Sequence, residues 1–233
     1  MSFRKFLREN WFTLLLMLLC AVGITVTTII FKQSWLRVGP MYVSLVISVM
    51  QARAIRFAPL LGGFNAIWHG VVALHYGLVA SAMSCFLFSS PLQLITFLRW
   101  QKRKYGASTV FRKLSLRWRG IIALAFAVAW VIVAFVLNKV ESSHQILDNT
   151  STLLGILVAF LTMFSFIEFA PLQVVSGLIG TWLTLMVIRD QPEYTPTLIY
   201  NLYSTFCVTL GCFSVMKLYK EQKKQEKILP KEN

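Results

Sequence analysis

An amide and an indole stand one turn apart at Asn65 and Trp68, inside a stretch that is otherwise apolar. On a helix that spacing puts both side chains on one face. Gln93, Trp182 and Asn201 repeat the same two chemistries further along, and Tyr200 and Tyr203 set hydroxyls beside Asn201. An amide in hydrocarbon must find a hydrogen-bond partner, either on a neighbouring helix or on a ligand. Trp68, Trp130 and Trp182 fall near the middle of their apolar runs, where a buried indole N–H also needs an acceptor. Amides, hydroxyls and a pair of indoles suit a neutral polar molecule carrying a flat ring, sandwiched between Trp68 and Trp182. Interhelical hydrogen bonding and ordinary helix packing are the competing roles for each of these residues.

Bond-making chemistry finds no comparable constellation. No nucleophile has a plausible base and orienting acid, and no phosphate-binding G-x-x-x-x-G-K-[ST] loop is present. His69 and His75 face different ways and fit no metal spacing. Cys20, Cys85, Cys207 and Cys212 lie in apolar runs without a C-x-x-C pair, as small core residues do. Of the nine carboxylates only Glu168 falls near the interior of a span, and it sits at a turn. Ion-coupled carriers place an ionisable relay inside the membrane. The reading is therefore passive passage of a small molecule, with no catalytic residue, cofactor or metal.

The elements that must hold these residues are membrane helices. The chain is 57% hydrophobic and only 14% charged, whereas soluble domains carry roughly 25% charged residues. Uncharged runs such as Trp11–Phe31 and Leu78–Leu98 are long enough to span hydrocarbon. The pattern predicts eight spans, near 11–31, 40–55, 57–76, 78–100, 119–138, 151–169, 171–188 and 196–218. The first, basic at its start, reads as a retained helix instead of a cleaved signal. The net charge of +14 gathers in the N-terminal tail, in Arg99–Arg119 and after Lys217. Cytoplasmic loops of membrane proteins are enriched in Lys and Arg, so both termini are read as cytoplasmic and nucleic acid is excluded as a partner. Segment Gln101–Arg117 carries no acid and reads either as an amphipathic helix at the headgroups or as a solvated basic loop. Trp11, Trp35, Trp100 and Trp118 fall at span ends as interfacial anchors. Asn149–Thr150–Ser151 forms a sequon in an expected external loop.

The hexapeptide IRFAPL at Ile55–Leu60 recurs as IEFAPL at Ile167–Leu172, with Arg56 exchanged for Glu168. Leu45–Val46 matches Leu157–Val158 in the same frame, and Trp68 matches Trp182 after a short insertion. Such self-similarity indicates an internal duplication. The copies fall at the junctions of spans 2–3 and 6–7 and face the same way. The plan is all-α, with two parallel three-helix units joined by a linker helix and preceded by an extra helix. Residues 1–38 form the tail and extra helix, 39–101 the first bundle and 102–118 a basic cytoplasmic linker. Residues 119–150 form the linker helix and external loop, 151–219 the second bundle and 220–233 a basic cytoplasmic tail. Parallel repeats of this kind are a transporter plan, with substrate held between the repeats. The hexapeptide is read as seating two helices tightly, in preference to acting as a pivot.

The stretch GGFNAIWHGVVALHYGLVASAMSCFLFSSPLQLITFLRWQKRKYGASTVFRKLS resembles the PnuC family of bacterial vitamin transporters. An Asn in the middle helix, then F-x-x-PLQ-x-x-x-F-x-x-W, then basic residues carry the likeness over Gln51–Ser115. It is weaker over Asp148–Lys220. The resemblance implies a plan similar to the SWEET carriers and facilitated uptake of nicotinamide riboside into a bacterial cell, with thiamine or riboflavin as alternatives. It also implies trapping by a cytoplasmic kinase, while a homo-oligomer is compatible with the plan. Carried onto this chain, the substrate-site residues are Asn65, Trp68, Gln93, Trp182 and Asn201, with Tyr200 beside them. Where the family often has a further Asn in the helix over 172–188, this sequence has Ser176 and Gly177. Outside transport, a membrane scaffold or a membrane-embedded enzyme are the competing classes.

Overall fold

The protein is described from a computed structural model covering residues 3–75, 82–83, 85–137 and 145–228. The α-helices with bounds among the described residues are α1 (Phe3–Ile30), α2 (Trp35–Ala52), α3 (Ala58–His75), α4 (Ser90–Lys102), α5 (Leu116–Leu137), α6 (Gln145–Met163), α7 (Phe169–Asp190) and α8 (Thr195–Ile228). A π-helical turn, Cys85–Ser89, leads into α4, and a two-stranded hairpin, β1 (Lys104–Tyr105) with β2 (Ser108–Thr109), follows it. Among the described residues, four segments, in α1, α5, α7 and α8, are individually long and apolar enough to cross a bilayer. The start expected for span 4, and the loop expected before α6, fall partly outside the described residues.

Several boundaries differ from the sequence expectation for physical reasons. Helix α2 begins at Trp35, ahead of Pro40, with Ser34 as N-cap accepting the Leu36 N–H at 3.2 Å. Pro40 is tolerated in the second turn because it forfeits a single ladder bond there. Helix α8 continues past the expected end of its span to Ile228, so much of the basic tail is helical. Asn149 lies inside α6 and not in an external loop. It is 2% exposed and its Nδ2 donates to the Trp130 carbonyl at 3.2 Å, which removes it as a glycan acceptor.

Helix α2 packs on α3, α3 on α4, α6 on α7, and α7 on α8. Contacts between these two groups run from α2 to α8 and from α4 to α6. Helix α1 lies against α2 and α8, where Ile24, Leu45, Tyr203 and Cys207 form a buried cluster. Helix α5 packs along α6, and none of its residues Leu116–Phe135 is buried. An all-round apolar helix with so little burial is one solvated by lipid.

The two hexapeptides form two corners of one design. Each preceding helix ends with a residue in the left-handed region, Ala54 at φ 50° and Ser165 at φ 59°. The Ala54 N–H returns to the Gln51 carbonyl and the Ile55 N–H to Met50; likewise Ser165 returns to Thr162 and Phe166 to Leu161. Both are Schellman closures.

The basic linker is neither an amphipathic helix nor a solvated loop. After the hairpin it runs extended across both corners, with Phe111 and Leu114 buried beside Phe169 and Trp100. The Arg112 N–H bonds to Ser165 O, and Ile167 N–H bonds back to Arg112 O at 2.8 Å. Gln222 of α8 accepts the Phe111 N–H and donates to Thr109 O. These partners lie far away in sequence, which is why local patterning does not reveal the hairpin.

Candidate functional site

Between the α2–α3 corner, α4, α6, the start of α7 and α8 lies a cavity of 840 Å³. Drug-sized and cofactor-sized ligands occupy cavities of roughly 300–1,000 Å³. Both corners contribute, through Ile55, Ala58 and Pro59 on one side and Phe169 and Ala170 on the other. Three glutamines face in: Gln51 from the last turn of α2, Gln93 from α4 and Gln173 from α7. None of their side-chain amides is engaged by another described residue. Amides open to a cavity offer hydrogen-bond donors and acceptors to whatever fills it.

The position of Gln93 follows from a glycine. A Cβ at Gly62 would stand 2.0 Å from Gln93 Oε1, so only glycine on α3 leaves room for this amide. The hydroxyls of Thr96 and Thr162 on the wall bond back to Leu92 O and Val158 O in their own helices at 2.7 Å. Phe88, Trp100 and Phe169 supply aromatic surface. Among the described residues the lining carries no charged side chain.

Trp100 closes the linker-side end. It is 4% exposed, its Nε1 donates to Thr162 O at 2.9 Å, and its ring meets Phe111 edge-on at 5.9 Å. The expected interfacial anchor is thus an inward-facing plug, because it has an acceptor on α6 and two phenylalanines to bury against. Trp35 and Trp118 are exposed at the starts of α2 and α5, and Trp11 is exposed where the apolar segment of α1 begins.

Of the substrate-site residues expected from sequence, Gln93 alone lines the cavity. Asn65 donates to Ser44 Oγ at 2.7 Å, linking α3 to α2. Asn201 donates to Thr184 Oγ1 at 2.7 Å, linking α8 to α7. Tyr200 packs in the cluster shared by α1, α2 and α8. Trp68 is 40% exposed with its ring against Gly39, and Trp182 is 54% exposed on the outer surface of α7. The structure does not bring these two indoles to the cavity. Gly177 sits where a Cβ would meet Thr205 Oγ1 at 2.9 Å, so it permits close approach of α7 and α8. Gln51 and Gln173 were missed because polar residues at span ends look like ordinary interfacial residues; their nearness to the two hexapeptides was the available signal.

The fold is similar to that of the protein solved as "Crystal structure of the Vitamin B3 transporter PnuC", with a TM-score of 0.73. That match has 18% identity and covers 90% of this chain and 92% of the other, a likeness of fold. No curated protein matches the sequence. Residues 34–218, which include both corners and every wall of the cavity, match the family model described as nicotinamide mononucleotide transporter. The chain therefore belongs to that family of membrane transporters, and not to an enzyme family.

Proposed function

We propose that this chain carries nicotinamide riboside across a bacterial cell membrane by facilitated movement, using the 840 Å³ cavity as its substrate site. The observation that carries the reading is the lining itself: three unengaged glutamine amides, aromatic surface and no charged side chain among the described residues. The carboxamide and ribose hydroxyls match the amides, and the pyridinium ring is attracted to the faces of Phe88, Trp100 and Phe169. A phosphorylated nucleotide fits less well, since a phosphate would lose its water without gaining a cation. This favours the riboside as cargo. A cytoplasmic kinase then traps it by adding the phosphate that suits the cavity less well.

The packing supports two parallel three-helix units, α2–α4 and α6–α8, joined by α5 and preceded by α1, with eight crossings in all. Exchanging the units turns the α2–α8 contact into the α6–α4 contact, as observed. Rocking of one unit on the other around the cavity is the corresponding motion. The linker and the end of α8 meet on one side through Gln222, and their basic residues support a cytoplasmic reading of that side and of both termini. Asn65 and Asn201 hold helix pairs in register around the site.

Calorimetry on purified protein tests the assignment, with nicotinamide riboside, its 5′-phosphate, thiamine and riboflavin as ligands. The riboside should bind, and Gln93→Ala or Gln173→Ala should weaken it about tenfold, the loss of one or two buried hydrogen bonds. Gly62→Ala, which displaces the Gln93 amide, should weaken binding with little change in melting temperature. Trp182→Ala should leave affinity unchanged. Loss of binding in Trp68→Ala and Trp182→Ala with none in the glutamine variants would restore the indole sandwich. Selective binding of thiamine or riboflavin would change the cargo, and binding of none would favour a scaffold.

A further inference from the structure

A second concavity lies on the opposite face of α6 from the cavity, between α5 and α6, with a volume of 650 Å³. Ile156 lines both, so α6 is the wall between them. Ala125 and Ala129 of α5 leave the space, and Leu157 and Phe160 of α6 line its other side. One end is different in chemistry: Lys113, Ser115 and Trp118 close it. From Trp118 to Ala129 the groove follows α5 for about 16 Å, which matches one leaflet of a hydrocarbon core ~30 Å thick.

We infer that this groove binds a phospholipid of the linker-side leaflet, its acyl chain along Ala125 and Ala129 and its anionic headgroup on Lys113. Three observations support a lipid over other occupants. The apolar part ends within one leaflet, as an acyl chain does. An indole and a cation stand together where a headgroup would be, the arrangement found at membrane interfaces. The charge there is positive: Lys113 and its neighbours Arg112 and Arg117 are exposed. Glu168, which accepts the Leu114 N–H next to Lys113, is already paired with Arg119. Basic pockets between membrane helices on the cytoplasmic side recognise anionic headgroups in this way. The consequence for the protein is support of α6, the helix that carries Gly155, Ile156 and Thr162 into the transport cavity. The inference does not depend on which molecule that cavity carries.

Native mass spectrometry of the full chain, released from mixed micelles with equal amounts of phosphatidylglycerol and phosphatidylcholine, reads this directly. Wild-type protein should retain phosphatidylglycerol about fivefold over phosphatidylcholine, and Lys113→Gln should abolish that preference. Ala125→Trp, which fills the groove, should release both lipids. Equal retention of the two lipids by wild-type protein, or an unchanged preference in Lys113→Gln, overturns the assignment. A lipid-free dimer that Ala125→Trp splits into monomers also overturns it, giving the groove to a second copy of the chain. Lys113 is an exposed side chain, so its variant decides the headgroup question even where Ala125→Trp fails to fold.

Discussion

The two corners of this molecule share a backbone design and differ in the side chains that meet it. Both close with a Schellman turn, and both offer a last-turn carbonyl to a helix of the other group. At the first corner Ser214 of α8 donates to Ala52 O at 2.7 Å. At the second, Trp100 of α4 donates to Thr162 O at 2.9 Å. The sign change inside the hexapeptide has the same logic. Arg56 faces carbonyls, bonding through its Nη1 to Gly106 O at 3.1 Å and through its backbone N–H to Ala107 O. Glu168 faces donors, accepting from Leu114 N–H at 3.1 Å and from Arg119 Nη2 at 2.6 Å. One linker serves both corners, presenting acceptors to the arginine and donors to the glutamate. After duplication a frame can be kept while its charges diverge, provided that what lies across it diverges too.

The second corner is the more heavily buried, so breaking it should cost more. Trp100→Ala has the largest expected effect: it removes a ring that is 4% exposed and the bond to Thr162, at about 4 kcal/mol by analogy with other buried tryptophans. A melting curve in detergent should show the fall, and a loss near zero would mean that Phe111 and Phe169 close over the gap. Next comes Glu168→Gln. The glutamine carbonyl can still serve Leu114, but Arg119 loses its charged partner in a pair only 17% exposed on the glutamate side. A loss of about 2 kcal/mol is expected for charge-assisted bonds of this kind, partly recovered in Glu168→Gln/Arg119→Met. Failure of the second change to recover stability would show that the Leu114 bond, not the ion pair, is what Glu168 contributes.

How much of this could be read in advance divides along a physical line. Membrane helices are announced by their own length and apolarity, because backbone groups in hydrocarbon must be satisfied within the segment. Trp11–Ile30 and Phe169–Asp190 were therefore legible, and the corners were legible as a repeat. The linker was not, because Phe111 and Leu114 are buried by residues far off in sequence and two-residue strands have no period to detect. The candidate cavity was half legible. An amide deep in a span, Gln93, points to something polar, yet Asn65 and Asn201 carry the same signal and spend it on Ser44 and Thr184. Sequence position places an amide in the membrane; only the neighbouring helix tells whether it is already bonded.

A smaller effect sharpens the comparison at the first corner. Ser214→Ala removes the donor to Ala52 O and leaves the left-handed closure at Ala54 intact. The expected loss is about 1 kcal/mol, that of a single neutral hydrogen bond. Ser214→Thr should restore it, because its hydroxyl can take the same place. Should Ser214→Ala match Trp100→Ala in cost, the two corners would be equally dependent on their side-chain donors, and the burial argument would fall.

Arg56→Gln should cost least. Its Nη1 bond to Gly106 O is exposed, and the Arg56 backbone bond to Ala107 survives the substitution. Its Nε is enclosed without an acceptor, so the change also removes an unmet donor. The expected shift is within about 0.5 kcal/mol, as for surface positions generally, against the larger loss for Glu168→Gln. A double-mutant cycle between the two positions should be additive, since each residue grips a different stretch of the linker, Gly106–Ala107 and Leu114–Arg119. Coupling between them would instead mean that the linker moves as one rigid strap, so that loosening either corner loosens both.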